Sequence, residues 1–169
     1  MNNKRQLLNE WIQAYKERLK PHCSRGDFRC LTTNALSKWK ELQFNYGKTY
    51  WGGEPAGDLL TNYLQPQEWI LYTTETRNEM ITYCPFVPDD AGNVKVYHQF
   101  YAPPSEEGIT VPPILAYADL ILQGTQEIKK RHRKFTISIY KISLGQLRIN
   151  PDATFLPEAP NNGHSTIFG

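Results

Sequence analysis

Proline and glycine cut this chain into short pieces, and that punctuation limits its fold more than any other feature. Pro21, Gly52-Gly53, Pro66, Pro88, Gly92, Pro103-Pro104, Pro112-Pro113 and Gly124 fall at intervals along it. Helices admit proline in their first turn and commonly stop at glycine, so short helices and strands are what remains. No apolar run approaches the roughly 20 residues of a membrane span, and no basic start leads into an apolar stretch like a signal peptide. A coiled coil, a collagen-like rod and a secreted disulfide knot are excluded. The 169 residues suit one domain, and 12% aromatic content, including four tryptophans, can fill a core. Three cysteines, an odd number, suit reduced thiols in a cytoplasm. The expectation is a cytoplasmic domain without a membrane segment.

Within that frame the pattern alternates between helix and strand. Leu8, Trp11, Ile12, Tyr15 and Leu19 recur at helical spacing, with Pro21 as the predicted end. Residues 22–31 read as a loop around Gly26, and residues 33–42 as a short helix with Leu36 and Trp39 on one side. Thr49-Tyr50-Trp51 reads as a strand broken by Gly52-Gly53, and Glu54-Pro55 opens a helix through Leu64 that Pro66 stops. Trp69-Ile70-Leu71-Tyr72-Thr73 has the make-up of a buried strand. Thr76 and Glu79 have capping-box spacing, which predicts a helix over residues 76–83. Residues 88–93 form a turn by composition. Val94, Val96, His98 and Phe100 alternate with Lys95, Tyr97, Gln99 and Tyr101 as in a strand. Pro112-Pro113 start the most apolar helix, over residues 114–123, with Gly124 as its stop. Strands and helices interleave without strict βαβ regularity, so the fold class is α+β or mixed α/β. Phe135, Ile137 and Ile139 alternate like a further strand, and residues 151–169 read as disordered.

Charge is unevenly spread. Residues 1–126 hold 12 Lys+Arg against 14 Asp+Glu, a net of −2; residues 127–169 hold 7 against 3, a net of +4. The basic balance belongs to Lys129, Lys130, Arg131, Arg133 and Lys134. Those five residues are the candidate nucleic-acid patch of a stand-alone binder, against the alternative of a solvated cluster.

Few residues carry an obvious chemistry. Cys23 and Cys30 are separated by six residues, wider than the two to four usual between zinc ligands, and no second pair exists. Glu54, Asp58, Glu75, Glu79 and Asp119 lie near apolar elements, but a restriction-type nuclease needs an acid two residues before Lys95, and Asn93 stands there. Caps and solvated faces account for these carboxylates better. No nucleophile elbow or phosphate loop is present, and Gly52-Gly53 alone does not indicate a nucleotide. No catalytic residue, metal or cofactor is expected, and a divergent nuclease using Glu54 stands as an alternative.

Trp51-Gly52-Gly53-Glu54-Pro55-Ala56-Gly57-Asp58-Leu59-Leu60, Leu71-Tyr72-Thr73 and Val111-Pro112-Pro113-Ile114-Leu115-Ala116-Tyr117-Ala118-Asp119-Leu120 together carry a resemblance. In that order they resemble the C-terminal region of AbiEi-type antitoxins of type IV toxin–antitoxin systems. The opening, with Trp11, Tyr15, Leu19-Lys20-Pro21 and Gly26-Asp27-Phe28-Arg29, looks like the entry into that region. The resemblance covers residues 2–126, about three quarters of the chain.

It implies a non-enzymatic effector or interaction domain that acts through protein contacts, with a nucleotidyltransferase-like toxin as partner. It also implies that DNA is read by a winged helix, preceded by a nuclease-like domain, both absent from this chain. Trp51, Gly52, Gly53, Glu54, Tyr117 and Asp119 are the motif residues to which a partner contact would be assigned.

The resemblance ends after Gly124. Relatives continue Arg-Asn-x-Glu-Thr-Ala into a helix, where this chain has Glu127-Ile128-Lys129-Lys130-Arg131-His132. With suitable synonymous codons, a one-base shift of residues 127–141 restores the relatives' text. The expectation is therefore a domain over residues 1–126 and an out-of-frame or disordered tail over 127–169. Losing the relatives' last helix would bare apolar surface on residues 114–122 and leave the protein marginally soluble.

Overall fold

The computed structural model describes residues 2–32, 34–62, 65–102, 108–124, 138, 140 and 141. The chain opens with α1 (Asn2–Ala14), a π-helical turn (Tyr15–Leu19) and α2 (Lys20–Cys23) in one continuous rod. Pro21 does not end it. In the π turn the Lys20 N–H reaches back five residues to the Tyr15 carbonyl, and Pro21, which has no N–H, falls in the first turn of the reset helix where none is needed.

Residues read as a loop are strand β1 (Ser24–Cys30). The short helix expected over residues 33–42 is a 3-10 helix (Leu36–Glu41), kinked at Lys38. Then come β2 (Thr49–Gly52), α3 (Gly53–Thr61), β3 (Trp69–Thr73), α4 (Arg77–Tyr83), β4 (Phe86–Pro88), β5 (Val94–His98) and α5 (Pro113–Gln123). Helix α3 stops short of Leu64 because Asn62 turns left-handed, φ 57°, with its N–H on the Asp58 carbonyl. Strand β5 ends at His98 rather than running to Tyr101.

The five strands form one mixed sheet in the order β2-β3-β5-β1-β4. Only β3 and β5 are parallel, Trp69 opposite Val94 through Thr73 opposite His98; the other pairs are antiparallel. Beyond β2, Trp51 exchanges backbone hydrogen bonds with Ile109 and Val111 at 2.8 and 2.9 Å, which covers that edge.

Both faces of the sheet are buried. Tyr50, Ile70, Tyr72 and Tyr97 point to a layer made by Leu8, Ile12 and Tyr15 of the first helix, Ala56 of α3, and Leu115, Ala116 and Ala118 of α5. Trp51, Trp69, Leu71, Val94 and Val96 point the other way, to Trp39, Met80, Cys84, Phe28 and Phe86. Two-sided burial explains why β3 reads as an unbroken apolar run. The class is α+β. Phe135, Ile137 and Ile139, on which a further strand was expected, and residues 151–169 lie outside the described residues; Ser138, Tyr140 and Lys141 are helical.

Candidate functional site

The densest polar constellation lies inside the fold, around Asp119 on the inner side of α5. Its carboxylate is fully buried and accepts from the Tyr15 hydroxyl at 2.7 Å, the Lys20 ammonium at 2.8 Å and the Tyr72 hydroxyl at 2.8 and 3.0 Å. The π turn matters here. Tyr15 and Lys20 are five residues apart, which on an α-helix sets them about 140° apart, and the wider turn brings both to one carboxylate. The Lys20 ammonium also lies over the rings of Tyr15 and Tyr97, and Tyr97 stacks on Tyr72 at 5.5 Å.

Burial, reinforced by the Asp119 charge, pushes the Tyr15 and Tyr72 hydroxyls far above the ordinary tyrosine range, and Tyr97 up to about 12. The tyrosines therefore stay protonated and donate. A sealed carboxylate with three fixed donors joins the π turn, α2, β3 and α5; it meets no solvent through which a substrate would arrive.

A second buried acid is Glu75, just past β3. It accepts from Thr49 Oγ1 at 2.5 Å and from the Asn45 side-chain amide, and it lies 3.9 Å from the Cys84 thiol. Burial, with the Glu75 charge adding to it, raises Cys84 to about 12. Arg25 donates to the Glu75 backbone carbonyl and, at 3.0 Å, to His98 Nδ1.

Each of the motif residues has a defined place. Trp51 is 1% exposed and packs against Trp39, Trp69, Phe44 and Phe86. Gly52 and Gly53 are buried at the β2–α3 junction, where a Cβ on Gly52 would come within 2.5 Å of the Tyr72 ring. Glu54 accepts from the backbone N–H groups of Gln67 and Glu68 at 2.6 and 3.1 Å, pinning the turn into β3. Tyr117 is half-buried on the outward side of α5, just ahead of Asp119 in sequence. Asp119 and Tyr117 share a helix; Trp51 and Glu54 lie on opposite sides of the β2–α3 junction rather than in one site.

The other acids are also engaged. Lys40 holds Asp58 at 2.6 Å, and Glu79 closes the capping box with Thr76. Lys95 faces Asp27 across the β1–β5 ladder at 3.8 Å. Among the described residues no group of three or more His, Cys, Asp or Glu is placed to hold a metal. Cys23 and Cys30 stand at opposite ends of β1, about 20 Å apart by strand rise, too far to share an ion. All three cysteines are free thiols. Lys129, Lys130, Arg131, Arg133 and Lys134 lie outside the described residues. No described helix is long and apolar enough to cross a membrane.

Sequence reasoning missed Tyr15, Lys20 and Tyr72 as the partners of Asp119. The available signal was an acid in the middle of the most apolar helix, which must find a counter-charge.

The fold defines an α+β domain whose mixed sheet is covered on both faces. Residues 1–136 match the family described as transcriptional regulator, AbiEi antitoxin, type IV TA system, and the chain belongs to that family of antitoxins and transcriptional regulators, in which a toxin is the counterpart. The match runs past Gln126, where the resemblance read from the sequence stopped. No curated protein and no solved structure matches the chain.

Proposed function

We propose that this chain is a non-enzymatic interaction domain of an AbiEi-type antitoxin, cytoplasmic, acting through protein contacts against a nucleotidyltransferase-like toxin. One observation carries the reading beyond the family match. Glu54, Asp58, Glu75, Glu79 and Asp119 are each engaged by a different part of the fold, and no two of them converge on an open site. Acids committed in this way stabilise layers; they do not activate water or hold an ion at a surface. DNA recognition belongs, on this reading, to the winged helix of the longer relatives rather than to this domain.

Co-expression with a nucleotidyltransferase toxin encoded beside the gene tests the proposal. The full chain should relieve the toxin's growth arrest, and relief should survive Glu54→Gln. Arrest unrelieved by soluble, folded chain would overturn the antitoxin role. Mg²⁺-dependent cleavage of nucleic acid that Glu54→Gln abolishes would replace it with a nuclease.

A further inference from the structure

Only β3 and β5 run parallel, and the chain leaves these two neighbours toward opposite faces of the sheet. After Thr73 of β3 it enters α4, whose Met80 and Cys84 pack on one face; after His98 of β5 it turns to Phe100 and Tyr101, which pack on the other. Such a divergence opens a crevice outside the carboxyl ends of parallel strands, the place where open sheets take ligands. Arg25 of β1 stands at that end. Its guanidinium donates to the Glu75 carbonyl just past β3 and, at 3.0 Å, to His98 Nδ1 at the end of β5. A guanidinium has no lone pair to offer, so Nδ1 is the acceptor and the neutral ring carries its hydrogen on Nε2. Two of the five guanidinium N–H bonds are used in this way to fix the group; the other three, and the His98 Nε2–H, have no partner among the described residues. Arg25 is half-buried and His98 is exposed. The acids at this end are committed elsewhere: Glu75 is sealed among Thr49, Asn45 and Cys84, and Glu79 serves the α4 cap and Lys48.

We propose that Arg25 and His98 form a binding site for a phosphate dianion, either the free ion or the phosphomonoester of a small molecule. A guanidinium already tethered at two points keeps its orientation when a ligand arrives, so little side-chain freedom is lost on binding. Donors on two separate groups suit a tetrahedral dianion, which accepts from more directions than a planar carboxylate. A nucleic-acid strand is the poorer fit. Residues 1–126 carry 12 Lys+Arg against 14 Asp+Glu, and a polyanion is held by a row of cations rather than by one fixed pair. The inference does not rest on the antitoxin reading, because it concerns a small ligand and not what the domain acts against.

Nuclear magnetic resonance titration of the full chain, with sodium phosphate and with sodium acetate at matched ionic strength, tests it. Phosphate should shift the Arg25 Nε–H and the Glu75 and His98 amides saturably, and acetate should not. His98→Asn keeps an acceptor for Arg25 near the place of Nδ1 and removes the Nε2–H. Affinity should then fall about tenfold, the loss of one hydrogen bond to a charged ligand. His98 is exposed, so this variant removes the donor without disturbing the core. Arg25→Gln should abolish binding; if it unfolds the protein, His98→Asn alone decides. AMP bound more tightly than inorganic phosphate assigns the site to a phosphomonoester, and AMP bound equally or more weakly assigns it to the free ion. Shifts that do not saturate, that acetate reproduces, or that keep wild-type affinity in His98→Asn would overturn the proposal. So would an oligonucleotide without a terminal phosphate that shifts these residues where inorganic phosphate does not, which would make the ligand a nucleic-acid backbone.

Discussion

Lys20 and Asp119 lie 99 residues apart in sequence and meet at 2.8 Å, the lysine side chain 15% exposed and the aspartate side chain sealed. The pair is asymmetric, because only the lysine has a path to water. Removing the cation leaves a buried anion with hydroxyl donors alone, and breaking a buried pair in this way costs about 3–5 kcal/mol. Lys20→Met should therefore destabilise more than Asp119→Asn, which keeps the shape, discards the charge and lets Lys20 turn outward for about 1–3 kcal/mol. The double variant should cost less than the sum of the two. Urea unfolding of the four proteins checks this, and equal losses for the two single variants would show that the charge is not what matters.

Cys84 offers a chemical test of the Glu75 pocket. Thiolates, not thiols, react with alkylating agents, and burial with the neighbouring carboxylate holds Cys84 near 12. At pH 8 the half-buried Cys30 should alkylate first and Cys84 should stay unmodified until the protein unfolds. Glu75→Gln removes the smaller contribution and leaves burial, so Cys84 should become only modestly faster. Mass spectrometry of timed iodoacetamide digests reads both rates; a Cys84 that alkylates as fast as Cys30 in the native protein would refute the sealed pocket.

These two sites also mark how far the sequence could be read. Period and punctuation exposed β3, β5, α4 and α5, because each carries its own local signal: an aromatic run, an alternation, a capping box, a proline start. Strand β1 was hidden because Ser-Arg-Gly-Asp-Phe-Arg-Cys buries only Phe28 fully and owes its conformation to β5 and β4 on either side. The π turn was hidden because Pro21 reads as a stop until the helix register is reset ahead of it. The motif glycines and acids were visible as a pattern, yet their partners come from 13 to 104 residues away, which no local spacing encodes.

Two glycines test close packing rather than flexibility alone. Gly53 has φ +51°, and a Cβ there would stand 2.7 Å from Gln123 Oε1 and 3.0 Å from Ile70 Cδ1. Gly53→Ala should cost about 1–3 kcal/mol, from a left-handed backbone and two side chains that can partly give. At Gly92 the obstacle is backbone: a Cβ would lie 2.0 Å from the Phe28 carbonyl oxygen, where the turn before β5 crosses β1. Gly92→Ala should therefore be the more damaging of the two. Comparison of their urea midpoints decides, and a Gly92→Ala protein as stable as wild type would contradict the packing described here.

The α4 cap links stability to pH. Thr76 Oγ1 accepts the Glu79 N–H at 3.3 Å while Glu79 Oε2 accepts the Thr76 N–H at 2.7 Å, with Lys48 3.3 Å from the other oxygen. Those backbone and side-chain hydrogen bonds to Thr76, with Lys48 assisting, lower the Glu79 carboxyl below its ordinary value. A carboxyl depressed in the folded state contributes stability above its unfolded value and loses it as pH falls through the folded one. Glu79→Gln should thus differ from wild type at pH 7 and converge with it as pH falls below the carboxylate range. Thr76→Ala, which loses the cap in both states of Glu79, should cost about 1 kcal/mol at neutral pH and retain part of that deficit in acid. Thermal melts from pH 7 to pH 3 separate the two, and a Glu79→Gln deficit that persists undiminished in acid would show that the cap does not depend on the charge.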